Sequence, residues 1–152
     1  MFIQDVCKAL NDAEIPYAIV GGYAVALHGA VRGTIDVDIA INWSLETLKI
    51  VEKTLKKLGL VSLLPIDATD LFSHKNEYIQ ERNLIAWNFY DPKNPVNQVD
   101  IIITYDLKNA HTELITTAFG KINVLSRQDL IAMKKASGRP QDLEDVKALE
   151  SL

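Results

Sequence analysis

A single cysteine, Cys7, leaves this chain of 152 residues no internal disulfide to fold around. That fits a reducing compartment, so a cytoplasmic location is expected. Cys7 falls on the apolar side of a predicted helix and reads as inert core packing, not as a nucleophile. No apolar run approaches the roughly 20 residues needed to cross a bilayer. The opening Met1-Phe2-Ile3-Gln4-Asp5 lacks the basic start and apolar stretch of a signal peptide. Positive charge is not in excess either: the formal net charge is −4 and the pI about 5.3. This argues against an extended grip on nucleic acid and leaves room only for a small basic patch. The lysines that cluster as Lys53, Lys56 and Lys57 read as a solvated helix face. Repeats, low-complexity segments and linkers are missing, and 48% hydrophobic with 24% charged residues is ordinary for a globular chain. One α/β domain over residues 1–152 is expected, a small mixed sheet flanked by helices.

Periodicity and breakers place the elements. Residues 2–13 carry Val6, Ala9 and Leu10 at helical spacing, and Tyr17-Ala18-Ile19-Val20 reads as a short buried strand. Gly21-Gly22 is then a turn before a short helix over 23–28, closed by Gly29. A strand is expected over 35–41, then a helix capped by Ser44, opened by Thr47 and ended by Gly59. Strands are expected over 61–65 and 84–90, with a loop and a short helix over 66–82. Residues 91–95 read as a loop and 96–104 as the strongest strand of the second half. A helix over 107–117, a strand over 121–125 and two helices over 127–137 and 140–152 complete the chain, with Pro140 at a first helical position.

Chemistry concentrates in three places. On a strand, residues two apart share a face, so Asp36 and Asp38 are expected to project together. Two such carboxylates repel unless a cation lies between them, and Mg²⁺ takes oxygen ligands of this kind together with substrate phosphates. Asp100 is the one charge in the apolar run Val99-Asp100-Ile101-Ile102-Ile103, and a buried carboxylate there needs a partner. With twelve aspartates in the chain, Asp-x-Asp alone carries little information. The ordered set is more specific: strand, Gly21-Gly22, helix, a strand with Asp36 and Asp38, then an apolar strand with Asp100. It reads as a metal–phosphate site. Gly21 and Gly22 lack a Cβ, so backbone can approach phosphate oxygens closely. Trp43 and Trp87 read as core or rim aromatics.

The run from Gly21 to Gly29, then Arg32, Thr34, Asp36 and Asp38, resembles the nucleotidyltransferases of the DNA polymerase β superfamily. The run Asp129 to Lys134, then Gly138, Arg139, Asp142 and Asp145, is similar to its small branch of minimal and abortive-infection-toxin-like members. The resemblance covers residues 17–41, 96–104 and 122–150. It implies that Gly21 and Gly22 hold the triphosphate, that Asp36 and Asp38 bind two Mg²⁺ or Mn²⁺ ions, and that Asp100 completes the second metal site and serves as base. Lys134, Arg139, Arg32 and Thr34 are implied as nucleotide contacts. The rival reading pairs Lys134 and Arg139 with Asp142 and Asp145. Gln141 departs from the pattern, since many relatives are basic there. His28 reads as a structural histidine more readily than a catalytic one.

The implied reaction moves an NMP from an NTP to a hydroxyl of a protein, an RNA end or a small molecule. An unknown acceptor, an antitoxin and a second subunit are the expected partners, with acceptor choice placed in residues 66–96 or in a partner. The alternative is a catalytically inactive nucleotidyltransferase-like fold serving as a binding or antitoxin-type module.

Overall fold

Alternating burial along the strands builds this molecule around a seven-stranded mixed sheet. The structure is a computed structural model, and it describes residues 1–118 and 120–152. The strands are β1 (Tyr17–Val20), β2 (Val37–Ile41), β3 (Val61–Ser62), β4 (Ala86–Asp91), β5 (Asn94–Asp106), β6 (Thr112–Thr117) and β7 (Gly120–Leu125). Their order across the sheet is β3-β4-β5-β2-β1-β7-β6. β2 runs parallel to β5, and β1 to β7; the other neighbours are antiparallel.

One face of the sheet is apolar. Val99, Ile101 and Ile103 of β5 are buried, Val99 and Ile101 stand beside Val37 and Ile39 of β2, and Trp87 and Phe89 of β4 pair across from Ile101 and Val99. Trp87 is fully buried and its Nε1–H donates to Ser62 Oγ at 2.9 Å, so its one polar atom is satisfied. The opposite face of β5 and β4 carries the half-buried Asp100, Ile102 and Asn88. This strict alternation follows from the two-residue period of a strand, and it leaves polar side chains on the open side.

The helices are α1 (Phe2–Asp12), α2 (Gly21–Leu27), α3 (Leu45–Lys57), α4 (Ala68–Ser73), α5 (Lys75–Arg82), α6 (Arg127–Ser137) and α7 (Pro140–Glu150). α1 packs on β7 and α3, α3 on α4, and α2 on β1, β2, β7 and α7. Ser44 caps α3, its Oγ accepting from the Thr47 amide at 3.0 Å. Cys7 is buried, and burial pushes its thiol up to about 11, so it is inert at neutral pH. Among the described residues no helix is long and apolar enough to cross a membrane.

Several expectations change, and residues 66–82 hold two helices, α4 and α5, in place of one. Gly21 and Gly22 form the first turn of α2 instead of preceding it. β2 begins at Val37, so Asp36 lies at a bend just outside the strand. β3 is only two residues long. Residues 91–95 are not a loop: β4 and β5 meet in a tight hairpin across Pro92-Lys93, with Asp91 paired to Asn94. Residues 107–117 are not a helix: a 3₁₀ turn at Leu107–Asn109 leads into β6. Thr112, Ile115, Thr116 and Thr117 suit a strand, and β7 offers six register partners that an isolated helix there would leave unpaired.

Candidate active site

Asp38 and Asp100 are neighbours. They are register partners on the parallel strands β2 and β5, and on its other side Asp38 stands opposite Val20, the last residue of β1. The chain turns directly from Val20 into Gly21. A Cβ on Gly21 would lie 1.9 Å from Asp38 Oδ2, and Gly21 holds φ +66°. Both facts call for glycine at this point. Gly22 is crowded too, though less: a Cβ there would lie 2.8 Å from Thr34 Oγ1 and 3.3 Å from the Arg32 Cζ. The missing side chains of the two glycines let Asp38, Thr34 and Arg32 pack directly over this backbone.

Asp36, exposed at the bend before β2, adds a third carboxylate. Burial raises the Asp38 carboxyl to about 7, with Asp100 and then Asp36 adding to the rise; Lys134 and Arg139 oppose it. Burial and the Asp100 charge also raise Asp36. These mutual effects place the three carboxylates in one field. An open cleft of about 930 Å³ lies in front of Asp36 and Asp38, lined by these two, Gly22, Arg32, Thr34 and, from the β4–β5 hairpin, Val96 and Gln98 among others; Asp100 stands beside Asp38, outside the lining.

Lys134 and Arg139 come close enough to lower the Asp38 carboxyl, but they are committed elsewhere. Lys134 is buried, with Nζ 2.8 Å from Asp145 and 3.5 Å from Asp142. Arg139 Nε donates to Asp142 at 2.8 Å. Asp145 also accepts from Arg32 Nε at 3.0 Å and from Gln141 at 3.1 Å. The structural pairing is thus what the geometry shows for Lys134. Arg139 remains mostly exposed, and Arg32 both lines the cleft and reaches the ion cluster. Burial alone would raise Asp142 and Asp145; the hydrogen bonds from Arg139 to the first, and from Lys134, Arg32 and Gln141 to the second, outweigh it and hold both low. His28 is structural: its Nε2 donates to the Leu125 carbonyl at 2.7 Å, tying the end of α2 to β7. Trp43 stacks on Phe72 beyond the far end of β2 from the aspartates.

The donor set fits a hard divalent cation. The Asp100 charge raises the proton affinity of both Asp36 and Asp38, and all the ligand atoms of the three carboxylates are oxygen. Among the described residues no three Asp, Glu, His or Cys side chains converge to hold a metal unaided. Two polar residues of the site, Asn88 and Gln98, escape sequence reasoning. The amide of Asn88 contacts both Asp100 and Gln98.

Comparison with known proteins bears on the fold and the family. The structure of ANT(2″)-Ia in complex with adenylyl-2″-tobramycin aligns with a TM-score of 0.63 at 14% identity, over 97% of this chain and 84% of that one. An antigenic nucleotidyltransferase-like protein from Paracoccidioides brasiliensis aligns at 0.61 and 20% identity, over 97% and 72%. The lincosamide antibiotic adenylyltransferase LnuA, bound to lincomycin, aligns at 0.56 and 17%, over 93% and 90%. At these identities the likeness is one of fold, and the fold is that of the nucleotidyltransferases. No curated protein matches the sequence. Residues 2–151 match the family described as nucleotidyltransferase of unknown function (DUF6036), and the chain belongs to that family.

Proposed function

We propose that this protein transfers a nucleoside monophosphate from a nucleoside triphosphate to a hydroxyl acceptor, releasing pyrophosphate. The observation that carries the reading is the register pairing of Asp38 with Asp100 on the open face of the sheet, with Asp36 and the Gly21-Gly22 turn beside them. Asp36, Asp38 and Asp100 would hold Mg²⁺ or Mn²⁺. When bound, such ions neutralise phosphate charge and make a hydroxyl more acidic.

The residues of the chain supply the rest. Arg32 and Thr34, packed over Gly22 at the cleft wall, hold the triphosphate oxygens, and the exposed head of Arg139 adds charge from the α6–α7 side. Asp100 lies on the hairpin side and takes the proton from the acceptor hydroxyl. The acceptor oxygen bonds to the α-phosphorus in line with the departing bridging oxygen, and that P–O bond breaks as pyrophosphate leaves. Most of the acceleration comes from holding these groups in place. The hairpin wall, with Val96 and Gln98, is where the acceptor is selected. Antibiotic adenylyltransferases of the same fold take small-molecule acceptors, and a small hydroxylated acceptor suits a cleft of this size.

Calorimetric titration of ATP, GTP, CTP and UTP with Mg²⁺ tests the proposal. Metal-dependent binding of one nucleotide, lost in Asp36→Ala/Asp38→Ala, is expected. Absence of binding to any of the four overturns it.

A further inference from the structure

We infer that Asn88 is a positioning residue for Asp100, and through it for the acceptor side of the site; this rests on the nucleotidyl-transfer reading above. Asparagine is disfavoured in strands, yet Asn88 lies in the middle of β4 between the buried Trp87 and Phe89. Its register partner is Asp100, which puts the two side chains on the same, open face of the sheet.

The hydrogen bonds fix which way every amide points. A carboxylate can only accept, so the 2.8 Å contact between Asn88 Nδ2 and Asp100 Oδ1 is a donation from Asn88. The same nitrogen donates to Gln98 Oε1 at 3.1 Å. Gln98 in turn gives its Nε2–H to the Pro95 carbonyl at 3.0 Å, which leaves its oxygen facing Asn88. The chain of bonds runs from the backbone at the hairpin turn, through two amides, to one oxygen of Asp100. No member can flip without breaking two contacts.

The chemical consequence is specific. Asp100 has one oxygen held and the other free to meet a cation or a hydroxyl. An uncharged donor orients the carboxylate without cancelling its charge, as a lysine or arginine in the same place would. Partners of this kind typically change metal affinity 10- to 100-fold when removed.

Calorimetry with Mn²⁺ and each of the four nucleoside triphosphates reads this directly. Asn88→Leu, similar in size but without a donor, is expected to weaken Mn²⁺-dependent nucleotide binding about tenfold. The melting temperature in EDTA should stay near the wild-type value, which a general distortion of the cleft would not allow. In an Asp100→Asn background, Asn88→Leu should add nothing, because Asn88 acts through Asp100. Asn88→Val, a better strand former that also lacks a donor, replaces the leucine variant should that one fail to fold. Wild-type affinity in the Asn88 variants, alongside weakened Asp100→Asn, overturns the positioning role and leaves the reaction standing. Weakened binding that comes with a large fall in the metal-free melting temperature overturns it too. Binding that is absent from the wild type, or unchanged by Asp36→Ala/Asp38→Ala, overturns the reaction itself and the role of Asn88 with it.

Discussion

Gly21 is the residue on which the site closes. Its φ of +66° lies where side chains with a Cβ are strained, and the Asp38 carboxylate occupies the space that a Cβ would need. The two penalties are separate. The left-handed conformation costs an alanine about 1–2 kcal/mol. The contact forces the Asp38 carboxylate out of its place in the site. Gly21→Ala should therefore lower the melting temperature by roughly 2–8 °C for a chain of this size, and also abolish metal-dependent nucleotide binding. Gly33 makes a fair control within the same cleft, since a Cβ there meets nothing within 4 Å. Gly33→Ala should melt and bind as the wild type does. Thermal denaturation with parallel nucleotide titration checks both, and a Gly21→Ala protein that binds normally would mean that the glycine does not shape the site.

Between elements, the junction of α6 and α7 depends on charge. Lys134 on α6 is buried against Asp142 and Asp145 on α7, and Arg32 joins the cluster from the segment after α2. Breaking a buried pair by removing one partner costs about 3–5 kcal/mol, because the remaining charges are left uncompensated. Lys134→Met is expected to destabilise by about that amount in urea unfolding. Both carboxyls are held below their usual 3.8 in the fold, so the unfolded chain binds more protons than the folded one as the pH drops past that value. Their contribution is complete above pH 3.8 and is lost on further acidification. The Lys134→Met protein should lose less on acidification than the wild type. This junction was half legible in the sequence: Lys134, Arg139, Asp142 and Asp145 stand out, but which of them pair depends on how the two helices meet. The strand Tyr17–Val20 and the helix Arg127–Ser137 were legible because each depends on local spacing. Residues 107–117 were not, since Leu107, Ala110 and Leu114 mimic helical spacing and only pairing with β7 decides the strand. Asn88 stayed hidden for the same reason, as its register with Asp100 follows from the tight turn at Pro92-Lys93.

Across the molecule, the acidic patch of Asp36, Asp38 and Asp100 faces a cluster that carries three cations against two carboxylates, and the two respond to pH in opposite senses. Asp38 is raised from 3.8 to about 7 in the fold, by burial first and by its neighbours after that. Between those values the folded chain holds more protons than the unfolded one, so the metal-free protein loses stability as the pH rises. That loss begins above 3.8 and is complete once Asp38 has ionised, near pH 7. On the proposed function a divalent cation would reverse the balance, since it would bind the ionised carboxylates of the folded state and stabilise it by mass action. The melting temperature in EDTA should fall between about pH 5 and pH 8. Mg²⁺ in millimolar excess should restore it at pH 8 and do little at pH 5, where Asp38 is protonated. Asp38→Asn removes the repelling charge, so its EDTA melting curve should be flatter across this range and sit above the wild type at pH 8. Scanning calorimetry on both proteins, with and without Mg²⁺, checks all three outcomes. A wild-type protein whose metal-free stability rises from pH 5 to pH 8, unaffected by Mg²⁺, would show that the three carboxylates do not share one field and have no cation to receive.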